Sequence, residues 1–488
     1  MRLSGSTAAR FGPARCEAMT PDLSLSAQIK GTESWRAELV ATLRLSWPLA
    51  AANLLQMLTY AIDVIFIARL GEAQLAASAL VIALFGLVLW ALSGLTGAVA
   101  PVAAAELGER APALRPVRRS VRMALWLALV SGFAGMGICL LLGPLMRATG
   151  QDDAVIGLAL QYNTVLVFSM IPMLFNNVLR SFVSTLDRPI FATAITASGI
   201  FVNGLANYAF IFGNFGAPEL GLRGAAVATI ITSLVTLAIY VLAIRLEPKL
   251  HRYRIFGRWW APDWQRFRKI ARIGTPIALT VTAEAGIFGA AAFLMGTIGA
   301  PQLAAHTVAL QIAALAFQVP FGVGQAATIR VGLFYGARDP DGMTRAGWAG
   351  IAIGTGFMAL TALAMILFPE YLLAIYIDPW DPANAVLVGF ALQYILIAAA
   401  FQLTDGMQAV AAGALRGLQD TRMPMWIAAF SYWVPGIGVA VGLGLMTRLE
   451  GVGVWIGLAT GLTVAAILLT WRWHRREALG LTVRPPAA

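Results

Sequence analysis

The sequence predicts an all-α polytopic membrane protein with twelve transmembrane helices in two pseudo-symmetric six-helix bundles. Three observations carry this. The 488 residues are 59% hydrophobic and only 12% charged, against about 25% charged in a soluble chain. Twelve continuous apolar runs each reach the ~20 residues that cross a bilayer as helix. The second half of the chain repeats the first at a fixed offset.

The runs fall at 44–68, 76–104, 121–143, 156–182, 190–213, 223–246, 270–298, 304–334, 345–368, 384–415, 424–446 and 451–473. They are long and unbroken, whereas strands of a membrane barrel alternate over short segments. Residues 1–37 precede them as a mixed polar tail with no apolar core of a signal peptide. An arginine-containing start rich in Ser, Thr and Ala resembles a transit peptide, but Glu17, Asp22 and Glu33 argue instead for a disordered cytoplasmic tail. The first bundle is then 38–246, followed by a linker at 247–269, a second bundle at 270–475 and a tail at 476–488.

The loops alternate in charge. Five arginines lie between Arg110 and Arg122, and nine Lys or Arg against two acids between Arg245 and Arg272. The end "WRWHRREALG" is basic, whereas "RATGQDDA", "PEYLLAIYIDPWDPANA" and "TRLEGVG" are neutral or acidic. Basic loops stay in the cytoplasm, so both termini and the even-numbered loops are expected there. The basic loops also suit anionic lipid headgroups. The net charge of +11 is spread over short loops and forms no stripe for nucleic acid. Cys16 and Cys139 cannot build a disulfide framework.

Pro48 matches Pro276, Gly71 matches Gly299, Leu75 matches Leu303 and Gly108 matches Gly336, each pair 228 positions apart. "VLRSFVSTLDRP" (178–189) matches "ALRGLQDTRMP" (414–424) after small length changes. Repeats with an even number of spans run parallel, about an axis along the membrane normal. Two such bundles enclose a cavity able to open to either side, an architecture for transport. A channel would need a selectivity ring, and no segment resembles one. HExxH, GxSxG and phosphate-loop motifs are also missing. The chain is therefore not read as an enzyme, and the energy source is an ion gradient.

The chemistry lies in acids inside the runs. Asp63, Glu284 and Asp405 each have apolar residues on both sides, and a charge at mid-membrane costs ~2.5–3.5 kcal/mol. The bland alternative is a packing hydrogen bond. Desolvation disfavours the charged form of such an acid, so it readily binds a proton, or Na⁺ where other oxygens gather. Gln402 and Gln408 lie three residues either side of Asp405, and Asn203 and Asn207 share a helix face that can reach Asp63. Interhelical packing is the other reading of the two asparagines. Met57, Tyr60, Phe288 and Phe401 are candidate walls of a substrate cavity, with ordinary packing as the competing role. Glu106 and Arg69 sit at run ends and are read as interfacial. Arg180 and Arg416 occupy matched positions near run ends and are read as phosphate-binding or helix-capping. His306 is read as a packed histidine.

"LSWPLAAANLLQMLTYAIDVIFIARLG", "FVNGLANYAFIFGNFGAPELGLRGAAVAT", "PQLAAHTVALQIAALAFQVPFGVGQAATIRVG" and "DGMQAVAAGALRG" resemble the MATE family of multidrug and toxic compound extrusion transporters, in its NorM-like branch. The resemblance spans about residues 38–475. It implies a V of two bundles that exchanges cations for organic cations, dyes or fluoroquinolone-type drugs. It places coupling carboxylates at Asp63, Glu284 and Asp405, with Asn203 and Asn207 as companions of the first. The family's tenth helix carries a tyrosine one turn before its aspartate. Here that residue is Phe401, which removes an oxygen from any Na⁺ site at Glu284 and Asp405 and leaves proton coupling untouched. The implied function is H⁺- or Na⁺-driven antiport, without a cofactor, by a monomer in the bacterial inner membrane. A lipid-linked sugar flippase and a non-transporting receptor or scaffold are the rival readings. The embedded acids disfavour the anionic lipid of the former.

Overall fold

The computed structural model describes residues 34–110, 112–257 and 259–482. Most of the expected N-terminal tail, and the last six residues, lie outside that range. Among the described residues twelve helices are long and apolar enough to cross a membrane. The first six are α1 (Trp35–Ala68), α2 (Glu72–Glu109), α3 (Leu114–Ala148), α4 (Asp153–Thr185), α5 (Pro189–Phe212) and α6 (Leu222–Leu246). The second six are α7 (Trp264–Ile298), α8 (Ala300–Ala337), α9 (Pro340–Leu367), α10 (Pro382–Gly417), α11 (Arg422–Met446) and α12 (Glu450–His474). Phe201 is 79% and Phe293 74% exposed. Large apolar residues bared to this extent along a helix flank need lipid as solvent.

Local chemistry sets the helix ends. The Ser34 hydroxyl accepts the Ala37 N–H at 3.2 Å and starts α1. Gly213, left-handed at φ 72°, ends α5. Proline sets the internal breaks. A proline has no N–H for the carbonyl four residues back. Pro101, Pro144 and Pro172 accordingly follow the interruptions at Ala98 in α2, Leu141 in α3 and the 3₁₀ turn Val167–Ser169 in α4, and Pro435 lies within the π turn Tyr432–Gly436 in α11. Pro48, Pro276 and Pro320 stay inside continuous helices.

The two bundles meet about a pseudo-two-fold axis that the 228-residue offset describes. A methyl group on Gly108 would lie 1.9 Å from the Leu333 carbonyl oxygen, and one on Gly336 would lie 2.0 Å from that of Ala105. Leu333 and Ala105 are themselves offset equivalents. Gly322 likewise abuts Ala50 and Gly94 abuts Ala278, again equivalents. Leu45 and Leu49 of α1 pack with Ala104 of α2 and with Ala326 and Ile329 of α8 in one core shared by both bundles. These contacts use the first halves of α1 and α7 and the second halves of α2 and α8. That half of the molecule carries both ends of the described chain, and we call it the terminal side.

The linker is packed rather than free. The Arg118 Nε donates to the Tyr253 carbonyl at 2.5 Å, and the Trp126 Nε1 donates to that of Trp259 at 3.1 Å. The Tyr253 ring meets Phe182 edge-on at 5.6 Å. The segment up to Trp259 thus packs on the first bundle, whereas Trp264 onward belongs to α7 and the second bundle.

Candidate functional site

The three carboxylates occupy two sites, one in each bundle. In the first, Asp63 of α1 is 7% exposed. Its Oδ1 accepts Asn203 Nδ2 at 2.9 Å and Asn207 Nδ2 at 2.7 Å, and Asn207 Nδ2 also reaches Asn203 Oδ1 at 3.2 Å. Four residues advance a helix by about 40° beyond one turn, so α5 presents both amides to one acid. Two charge-assisted bonds meet the desolvation cost of the carboxylate locally. Tyr60, one turn before Asp63, has a buried hydroxyl with no hydrogen-bond partner among the described residues. Met57 is half-buried on the same helix.

In the second site, Glu284 of α7 accepts Gln408 Nε2 of α10 at 3.4 Å, and Gln408 Oε1 accepts the Tyr432 hydroxyl of α11 at 2.6 Å. Asp405, 7% exposed, lies within electrostatic reach of Glu284, as does Arg416. Both acids therefore reach the Gln408 amide, and the Arg416 guanidinium reaches Glu284, in a partly buried space. Phe288, one turn past Glu284, packs on the core of this bundle.

Four sequence expectations are corrected by this geometry. Gln402 does not join Gln408: its Nε2 faces Met365 Sδ at 3.5 Å. Positions three before and three after Asp405 diverge by about 120° around a helix, so only one of them can face α7. Phe401 lines no open wall, because its ring, 3% exposed, stacks on Trp455 at 5.9 Å. Arg180 caps no helix end. It donates to Asn53, to Gln56 Oε1 at 3.3 Å and to Gln325 Oε1 of the second bundle at 3.1 Å. Glu106 is not interfacial: it is 7% exposed and accepts Ser120 Oγ at 2.8 Å and a guanidinium N–H of Arg266. His306 is packed, 1% exposed, with its ring edge-on to Trp455 at 5.5 Å.

Sequence reasoning missed Tyr432 and the charge role of Arg416. The available signal for Tyr432 was Pro435, since a proline-induced π turn often marks a functional position in a helix. For Arg416 it was the offset. Gln56 and Glu284 are 228 apart, and the matched arginines Arg180 and Arg416 face those two positions.

A twelve-helix membrane protein with a buried acid site in each of two related bundles has the build of a secondary transporter. Comparison with known proteins identifies which kind. The MatE family model matches residues 48–209 and 276–441. A probable multidrug resistance protein NorM of Mesorhizobium japonicum is 44% identical over 455 residues, 93% of this chain and 96% of that protein. One from Brucella suis biovar 1 is 41% identical over 92% of this chain and 96% of that protein. Among solved structures, a MATE in the bent conformation superposes with a TM-score of 0.81 at 22% identity, covering 95% of this chain and 99% of its own. An outward-facing multidrug resistance MATE family transporter gives 0.81 at 23% identity, over 92% of this chain and 97% of its own. The chain belongs to the MATE family of membrane transporters, in its NorM-like branch, and is not an enzyme.

Proposed function

We propose that the protein exports amphipathic, cationic drug-like molecules in exchange for a proton, with both termini in the cytoplasm of a bacterium and the bundles alternating access across the inner membrane. The carrying observation is the second site, where Glu284 and Asp405 lie together with the Arg416 guanidinium in electrostatic reach of Glu284. Two neighbouring carboxylates, of which Glu284 is within reach of one arginine, retain net negative charge, which attracts a cationic substrate in a low-dielectric cavity. Binding a cation to Glu284 or Asp405 removes that attraction and releases the substrate. The names of the NorM relatives support multidrug export.

The proton is favoured over Na⁺ by the oxygen inventory. Phe401 stands where a hydroxyl would serve a metal, and it is turned into the core. The Tyr432 hydroxyl is engaged with Gln408. Hard cations want several oxygens, whereas a proton needs one carboxylate. The test is dye efflux from proteoliposomes with a pH gradient and a sodium gradient imposed separately. Efflux driven by the pH gradient alone supports proton coupling. Efflux driven only by sodium overturns that part, and no efflux under either gradient overturns the export reading.

A further inference from the structure

The terminal side of the molecule holds two ion pairs that cross from one bundle to the other, one fully buried and one with a partly exposed arginine. Glu38 of α1 is fully buried, and Arg330 of α8 is 5% exposed. Arg330 Nε donates to Glu38 Oε1 at 2.9 Å and Nη2 to Oε2 at 2.5 Å, a bidentate fork, while Thr42 Oγ1 adds a bond to Oε1 at 3.3 Å. On the other side of the pseudo-axis, Arg266 of α7 pairs with Glu106 of α2, and Ser120 Oγ accepts from Arg266 at 2.8 Å. Positions 38 and 266 are offset equivalents, and their partners at 330 and 106 lie one turn from equivalence. The same place in each repeat therefore carries a charge that reaches across to the opposite bundle. The polarity is one-sided: the first bundle supplies both acids, the second both bases.

A buried ion pair is an unusual way to seal two surfaces. Its mutual attraction barely exceeds the cost of desolvating it, and apolar residues of similar volume hold as well or better. What it does well is discriminate states. Closed, the charges satisfy each other. Open, water hydrates them both. Half-removed, the remaining charge is stranded and drives the surfaces apart. We propose that Glu38–Arg330 and Glu106–Arg266 are the paired locks of the terminal side, holding it shut in this conformation yet close enough to balance for the bundles to part. This goes beyond the coupling sites. It rests on the transport reading only in requiring that the terminal side opens at some stage.

The test uses the full-length protein with Cys16→Ser, Cys139→Ala and a reporter Leu45→Cys, in lipid nanodiscs where both faces meet the reagent. Leu45 is 4% exposed within the shared core, so a water-soluble maleimide reaches the reporter only when the terminal side opens. Glu38→Gln should label ~10-fold faster than the reporter background, and the apolar pair Glu38→Met with Arg330→Met ~10-fold slower, while the exchange Glu38→Arg with Arg330→Glu should return to the background rate. Arg266→Gln is the independent variant at the second lock and should also label faster. Unchanged labelling in both Glu38→Gln and Arg266→Gln overturns the proposal. So does faster labelling of the apolar pair, or failure of the charge exchange to restore the rate. No transport measurement enters, so failure here leaves the export reading standing, and failure of efflux leaves the locks standing.

Discussion

Gln408 is a relay between elements: one end of its amide meets Glu284 of α7 and the other the Tyr432 hydroxyl of α11. Its nearest sequence counterpart, Gln402, touches a methionine sulfur instead. A hydrogen bond to a charged group is worth ~1.5–3 kcal/mol, or roughly 10–100-fold in rate where it acts on the limiting step. Gln408→Leu should lower dye efflux by at least about 10-fold by this measure, Tyr432→Phe, which loses a bond to a neutral amide, by about 2–10-fold, and Gln402→Leu should leave it near wild type. Asp405→Asn should abolish resistance to an exported dye without reducing the amount of protein in the membrane, as read by blotting of membrane fractions. The residue-scale chemistry was legible in the sequence where it was expensive. Asp63, Glu284 and Asp405 announce themselves because a carboxylate in an apolar run carries a cost that something must offset. Tyr432 did not, because tyrosine is amphipathic and passes as an ordinary membrane residue. Arg416 sits near a helix end, where an arginine commonly reaches headgroups, and only the fold turns it towards Glu284.

At the scale of elements, the helices owe their existence to apolar length and their interruptions to proline. The twelve runs were readable for that reason, and their ends shifted by several residues once caps and loops were in place. The interruptions were less legible, because Pro48, Pro276 and Pro320 lie in unbroken helix while Pro101, Pro144, Pro172 and Pro435 do not. The glycines behave the same way. Gly413 and Gly417 pack directly on α8, whereas Gly438 and Gly442 face open space. Spacing alone could not separate those pairs. Gly336→Ala would drive a methyl group into the Ala105 carbonyl, so overpacking should destabilise the α2–α8 crossing by about 1–3 kcal/mol. A lower thermal unfolding midpoint of the purified protein is the expected readout. Gly356→Ala, where nothing lies within 4 Å, should match the wild type.

At the scale of the molecule, the internal repeat was visible as matched prolines and glycines, but its meaning at the interface was not, since a one-dimensional offset does not say which equivalents touch. The basic linker packs on the first bundle through Tyr253 and Trp259. On the proposed orientation, which puts the termini in the cytoplasm, a cysteine introduced at Lys249 should react with an impermeant maleimide in inside-out vesicles and be protected in intact cells. The reverse pattern would invert the proposed direction of transport. The one-sided polarity of the crossing ion pairs also bears on how such a chain is assembled. Were two first halves to associate about the same axis, Glu38 would confront Glu106. Two second halves would set Arg266 against Arg330. Each half is thus electrostatically unsuited to its own kind and suited to the other. If the repeat began as a gene copied and fused, this divergence removed the option of returning to a self-paired dimer. Halves expressed as separate polypeptides should accordingly find each other and shun their twins.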